Sequence, residues 1–174
     1  MNQYIVITAV GQDRPGIVND LSKTILDSGG NVTDSRMTVL GGEFALLMLV
    51  GSSGIAIEAM ENELRALQDK YGLEILFKRT ELKKESVSRV PYHVTVISMD
   101  HPGIVHDVAA YFSSRNINIE EMDTSSYSAA HTGTQMFSLQ MSISIPADIL
   151  ISGLREGFIN FCNELNLDAN MTAV

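Results

Sequence analysis

The chain has little of what marks several large classes of protein. Among its 174 residues there is one cysteine, Cys162, which excludes an intrachain disulfide and a zinc site built from several thiolates. Its helical neighbours Phe158 and Phe161 indicate a thiol in the core. Basic residues are also scarce: 12 Lys and Arg stand against 21 Asp and Glu, and the formal net charge is −9. Because nucleic-acid-binding domains need basic side chains against the phosphates, this balance argues against direct nucleic-acid binding.

Long apolar segments are missing as well. The longest apolar run, FALLMLV at residues 44–50, is well short of the roughly 18 residues that a membrane-spanning helix needs. Its length fits a buried strand instead. The N-terminal segment MNQYIVITAV has no basic residues ahead of its short apolar stretch, so it does not resemble a signal peptide. We therefore expect a cytoplasmic protein with no membrane contact.

The chain does contain an eight-residue motif that occurs twice. DRPGIVND at residues 13–20 returns as DHPGIVHD at residues 100–107, and the similarity continues on both sides when the sequence is shifted by 87 positions. Near SSYSAAHTG the shift grows to 93, because the second copy has six additional residues, and it reaches 94 in the helical segment that follows. The repeat predicts two domains, residues 1–80 and 91–174, joined by a polar linker at 81–90.

Both copies show the same predicted order of elements. An apolar, β-branched strand comes first, and a helix with one apolar face follows, with Pro15 in its first turn. Residues 31–40 and 43–51, separated by two glycines, predict a hairpin. A second helix, expected to end at Gly72 or at the matching Asn166, and a short last strand complete each copy. The order indicates the ferredoxin-like α+β fold, a four-stranded antiparallel sheet with both helices on one face.

The start of the first helix in each copy is a candidate site for a small anion. Gly16 has no side chain, so it leaves the first N–H groups of the helix open at the positive end of the helix dipole. Asn31 follows fifteen residues after Gly16, and Asn118 follows fifteen after Gly103. An asparagine amide from a neighbouring copy, within the chain or across a dimer, would complete a site in which the preceding aspartate holds an ammonium group. A carboxylate and an ammonium group together describe a free amino acid.

These features resemble the ACT domain, an amino-acid-sensing module of metabolic enzymes and regulators. The resemblance rests on the DRPGIV motif after a strand, on the asparagine fifteen residues past the glycine, and on the order of elements. Two such domains over almost the whole chain, with ITAVGQDRPGIVND, DSRMTVLGGEFALLMLV and FKRT in the first, resemble the glycine cleavage system transcriptional repressor family. The resemblance assigns ligand contacts to Asp13, Arg14, Pro15, Gly16, Ile17 and Asn31, and to Asp100, Pro102, Gly103, Ile104 and Asn118.

The resemblance implies a regulator with no catalytic residues, no cofactor and no DNA-binding surface of its own. Such a protein restrains a LysR-type transcription factor, the activator of the glycine cleavage genes, in response to glycine. The second copy departs from the pattern, with His101 at the position of Arg14 and a longer hairpin around residues 125–133. These departures favour the first copy as the amino-acid site.

Two other functions fit parts of the pattern. A free-standing ACT protein could bind an amino acid and adjust a metabolic enzyme allosterically. A small enzyme would need an anion loop for which Arg14 alone is available, and no serine lies in a G-x-S-x-G context. The four histidines, His93, His101, His106 and His131, have no metal-ligand spacing, so we expect no metal site.

Overall fold

The computed structural model describes residues 3–82 and 89–174 and shows two compact units, one on either side of residues 83–88. Each unit has the predicted order of elements, and the tandem ferredoxin-like fold is confirmed. The first unit contains β1 (Gln3–Gln12), α1 (Ile17–Asp27), β2 (Asn31–Leu40), β3 (Glu43–Ser52), α2 (Gly54–Tyr71) and β4 (Glu74–Thr80). The second contains β5 (Arg89–Met99), α3 (Ile104–Ser113), β6 (Asn118–Ser128), β7 (Gln135–Pro146), α4 (Ile151–Glu164) and β8 (Asp168–Ala173).

The linker predicted at residues 81–90 lies largely outside the described part of the chain, which omits residues 83–88. At its end, Arg89 and Val90 already pair with β7 as the first residues of β5. The second domain therefore begins its sheet two residues before position 91.

Each sheet is fully antiparallel between neighbours, in the order β2-β3-β1-β4 in the first unit and β6-β7-β5-β8 in the second. β1 and β2 do not pair with each other. Both pair with β3, so they run in the same direction, and β2 is an edge strand. A register shift interrupts β2 between Val32 and Asp34, and β6 has a matching shift between Ile119 and Glu121.

The core of each unit lies between the sheet and its two helices. β1 alternates, with Ile5, Ile7 and Ala9 fully buried, which is the pattern of a strand that has one face against a core. α1 contributes Ile17, Leu21 and Ile25, whereas Val18, which the periodicity predicts on the same apolar face, is exposed. α3 contributes Ile104, Val108, Tyr111 and Phe112. Burial removes each such side chain from water and stabilises the fold by about 1.5–3 kcal/mol.

Cys162 lies in the core of the second unit, as predicted. Its side chain is fully buried within α4. Burial in apolar surroundings disfavours the thiolate and raises the pKa of the thiol to about 11. Cys162 is therefore a packing residue with little nucleophilic character.

The turn residues adopt the conformations that their chemistry favours. Gly41 and Gly42 have φ angles of 62° and 90° and connect β2 to β3 directly, as expected for a two-residue hairpin loop. Gly72 and Asn166, with φ angles of 65° and 57°, terminate α2 and α4. The left-handed conformation stops a helix at both matching positions, which confirms the prediction.

The start of the first helix in each unit differs from the prediction. Pro15 was expected in the first helical turn, but α1 begins at Ile17 and Gly16 is its N-cap. Gly16 has a φ of 99°, and Gly103 at the start of α3 has a φ of 105°. Because a left-handed residue cannot belong to a right-handed helix, the proline lies before the helix. The glycine is therefore required for its backbone conformation, as well as for its lack of a side chain.

This conformation predicts opposite effects for two glycine substitutions in the second unit. Gly103→Ala should destabilise it by about 1–2 kcal/mol, because alanine pays for the left-handed conformation. A Cβ there would have room, since its nearest neighbour is Asp107 Oδ2 at 3.6 Å. Gly153→Ala in α4, where a Cβ would meet only Leu150 at 3.9 Å, should stabilise the unit by about 0.5–1 kcal/mol. Urea unfolding of both variants measures the two changes, and equal signs would contradict the interpretation.

Candidate functional site

The loop between β1 and α1 carries the first group of predicted ligand residues. Asp13, Arg14, Pro15 and Gly16 are all exposed, whereas Ile17 is buried and anchors the start of the helix. The Asp13 N–H donates to the carbonyl of Gly42 at 3.1 Å, so the loop is attached to the β2–β3 hairpin. These five residues are brought together at one end of the sheet.

The first turn of α1 provides the unpaired donors that the sequence indicates. The first bond of the helix runs from the Asp20 N–H to the Gly16 carbonyl, at 2.9 Å. The N–H groups of Ile17, Val18 and Asn19 precede it and have no carbonyl of the helix to receive them. In the second unit the Asp107 N–H bonds to Gly103 in the same way, also at 2.9 Å. Both helix starts can therefore attract a carboxylate.

Asn31 lies at the opposite end of the sheet from this loop. It pairs with Gly51, which pairs with Tyr4, while the loop follows Gln12 at the far end of β1. Eight residues of strand separate Tyr4 from Gln12, a distance of roughly 25 Å. One domain thus cannot bring Asn31 and the loop to the same small ligand. Asn118 has the same place in the second unit, opposite Ser144, and its amide donates to Glu120 Oε1 at 2.8 Å.

Arg14 contacts the end of α2. Its guanidinium lies over the ring of Tyr71, with Cζ 4.5 Å from the ring centroid, and it donates to the Tyr71 carbonyl. A cation at the C-terminus of a helix is favourable because the last carbonyls there have no intrahelical partner. The structure therefore gives this predicted ligand residue a contact within its own domain.

Asp20 connects the same two helices. The Tyr71 hydroxyl and the Lys70 ammonium both donate to its carboxylate, the latter at 2.9 Å. These bonds favour the charged form and lower the pKa of Asp20 to about 2, from an ordinary 3.8. We call Arg14, Asp20, Lys70 and Tyr71 the helix clamp, because they tie the start of α1 to the end of α2. Sequence reasoning missed the clamp, although an acid at one helix start and a base at one helix end were visible.

The second unit keeps the backbone hydrogen bond from its loop to the hairpin but has different side-chain contacts. Ser126 on β6 donates to Asp100 Oδ2 at 2.9 Å, and the Asp100 N–H bonds to Gln135 at the start of β7, also at 2.9 Å. His101 Nδ1 lies 3.1 Å from the carbonyl of Pro102. The clamp is lost, because Leu165 and Glu164 occupy the positions of Tyr71 and Lys70. The two loops share a backbone shape but differ in what their side chains contact.

Within residues 3–82 and 89–174, no helix is both long and apolar enough to cross a membrane. No group of three or more His, Cys, Asp and Glu side chains in the same ranges is arranged to hold a metal ion.

Comparisons with known proteins agree with this architecture. Residues 3–78 match the ACT domain family. The glycine cleavage system transcriptional repressor of Escherichia coli is 31% identical over 171 residues, which cover 98% of this chain and 90% of the relative. A crystal structure assigned to a glycine cleavage system transcriptional repressor superimposes with a TM-score of 0.77 at 29% identity, over 100% of this chain and 98% of the other. The structure of an unknown protein from Galdieria sulphuraria gives a TM-score of 0.81 at 28% identity, over 100% and 99%.

The helix clamp predicts a loss of stability in acid. Because the pKa of Asp20 is depressed on folding, its contribution is fully present above about pH 4 and disappears as the pH falls through about 2. Asp20→Asn should be less stable than the native chain at neutral pH. As the pH falls from about 4 to about 2, its free energy of unfolding should decrease less than that of the native chain. Denaturant unfolding at several pH values tests this. Asp107→Asn, at the matching position without a clamp, is the control and should keep the native acid dependence.

Proposed function

This chain belongs to the ACT-domain family of the glycine cleavage system transcriptional repressor, and we propose that it regulates transcription through protein contacts in response to an amino acid. The similarity supports a regulatory role, and the observation that carries it is 31% identity over 98% of the chain to the Escherichia coli repressor. The protein restrains a LysR-type activator of the glycine cleavage genes, and glycine changes its affinity for that activator. It performs no catalysis.

The charge of the chain supports action through a protein partner. A net charge of −9 and a sequence pI of about 4.8 would repel nucleic acid and favour a basic protein surface. The regulator therefore controls transcription through the activator and makes no contact with the operator. The cytoplasm is the compartment in which such a partner is available.

The amino-acid site that we propose starts at the loop before α1. The N–H groups of Ile17 and Val18, at the positive end of the helix dipole, receive the carboxylate of the ligand. The Asp13 carboxylate on the same exposed loop accepts the ammonium group. Arg14 supports this loop through the clamp, and Gly16 leaves open the space that a side chain would take.

Asn31 joins this site from another domain. The separation of roughly 25 Å within one domain requires it, since both groups are to contact one small ligand. β2 is an edge strand whose ten residues are all exposed, so its outer side is available to a second chain. We propose that a second copy of the protein supplies the asparagine, which makes a homodimer the ligand-binding form.

The second domain would offer a weaker version of the site. Asp100, Pro102, Gly103, Ile104 and Asn118 repeat its backbone features. The Asp100 carboxylate, however, already accepts a hydrogen bond from Ser126, and the Asn118 amide donates to Glu120. A ligand must compete with both bonds, so the first domain is the principal sensor.

Ligand binding can be measured by titration calorimetry with glycine, serine and other amino acids at millimolar concentrations. The native chain should release or absorb heat with glycine, and Asn31→Ala should weaken binding by about tenfold, as expected for a lost hydrogen bond to a charged group. Asn118→Ala is the matched control and should retain most of the affinity. No heat with any amino acid would show that the paired ACT domains have only a structural role.

The partner can be identified by affinity purification of the tagged protein from its own cells. A LysR-type transcription factor should be recovered, and the recovery should change when glycine is added. Recovery of a biosynthetic enzyme would instead identify an allosteric modulator of metabolism. The same purification with Asn31→Ala should recover the partner without a response to glycine.

A further inference from the structure

A groove between α3 and α4 occurs in the second domain. Its volume is about 530 Å³. Tyr111 and Phe161, with ring centroids 5.0 Å apart, form an aromatic wall. Ala110 and Gly157 line the groove with small side chains. A Cβ at Gly157 would lie 2.8 Å from the Tyr111 hydroxyl, so a larger residue there would require the Tyr111 side chain to move.

The first domain provides an internal comparison for each position of the groove. The shifts of 87 and 94 residues place Lys23 at the position of Ala110 and Glu63 at the position of Gly157. Both are long side chains. The groove therefore results from the replacement of long, charged residues by small ones.

The two domains also differ in the charged residues at one end of the groove. In the first domain the Lys70 ammonium donates to Asp20 at 2.9 Å and lies 4.8 Å from the centre of the Tyr71 ring. The second domain keeps the aspartate as Asp107 but has Glu164 at the position of Lys70. Both carboxylates line the groove. Neither side chain has a hydrogen bond or an ion pair among residues 3–82 and 89–174.

We propose that this groove binds the primary ammonium group of a small organic amine, which takes the place that the Lys70 ammonium has in the first domain. Asp107 and Glu164 accept the ammonium hydrogens, and the partly exposed Phe161 ring and the Ala110 methyl group contact the hydrocarbon part of the ligand. The feature that points to this chemistry is the ammonium already bound by the matching aspartate.

Arg115 restricts the kind of amine that the groove can bind. Its guanidinium lies over the Tyr111 ring, 3.6 Å from the centroid, and it lines the same groove. A second positive charge on the ligand would be repelled by this guanidinium, whereas a neutral or anionic group would be accepted. The groove therefore favours monoamines and zwitterions over diamines and polyamines.

The proposal can be tested by NMR titration of the isotope-labelled full chain with n-butylammonium, a probe that matches the lysine side chain. Amide signals of α3 and α4 should shift and saturate. Asp107→Asn should weaken binding by about tenfold, as for the loss of one charge-assisted hydrogen bond. The matched Asp20→Asn in the first domain should leave the affinity unchanged. The diamine 1,4-diaminobutane should bind more weakly than n-butylammonium.

A charge-reversing substitution gives the sharpest comparison. Glu164→Lys recreates the lysine–aspartate pair of the first domain, so it should abolish binding of n-butylammonium and raise the thermal unfolding midpoint. Undiminished binding to Glu164→Lys, or no saturable shift in the native chain, would overturn the proposal. Nα-acetyl-lysine methylamide, titrated in parallel, shows whether the natural ammonium is that of a free amine or of a lysine in another protein, according to which probe binds more tightly.

Discussion

The turn from strand to helix is the constraint on which each domain depends. The chain must reverse within a few residues after β1 and enter α1 with its apolar face toward the sheet. The positive φ of Gly16, repeated at Gly103, makes this reversal possible because glycine bears no Cβ. The same reversal leaves the first N–H groups of the helix pointing away from the core. A feature required for folding thus places open donors at the surface, where a regulatory ligand can use them.

The aspartate that follows this turn has different side-chain neighbours in the two domains. In the first, Asp20 is bonded by Tyr71 and Lys70, and the loop is tied to the end of α2. In the second, Asp107 keeps its position and lines a groove together with Glu164. The two domains share a backbone because glycine, proline and the apolar pattern specify it in both. Their charged side chains differ, and so does the chemistry that each domain offers.

The architecture also explains why the proposed amino-acid site needs residues from two domains. A strand of ten residues separates the loop before α1 from Asn31, and no side chain is long enough to bridge that distance. A ligand that needs both must bring two domains together. Binding and association are then linked, because the free energy of one contributes to the other. This linkage gives a small molecule a way to change the surface that a protein partner meets.

Much of the fold could be predicted because it rests on local chemistry. Residues close together in the chain specify the duplicated motif, the hairpin at Gly41 and Gly42, and the helix ends at Gly72 and Asn166. The position of Pro15 relative to the helix was predicted wrongly, since a proline before a glycine fits either a first helical turn or the reversal that precedes it.

The sequence by itself determined the number of repeats, the order of their helices and strands, and the net negative charge of the chain. Periodicity and turn residues act locally, and net charge is a simple sum. Tertiary structure alone decided which distant side chains meet. It placed Arg14 on Tyr71, moved Asn31 to the far end of the sheet, and brought Asp107 and Glu164 into the lining of one groove. These outcomes depend on strand order and helix packing, which bring together residues that no local pattern in the chain connects.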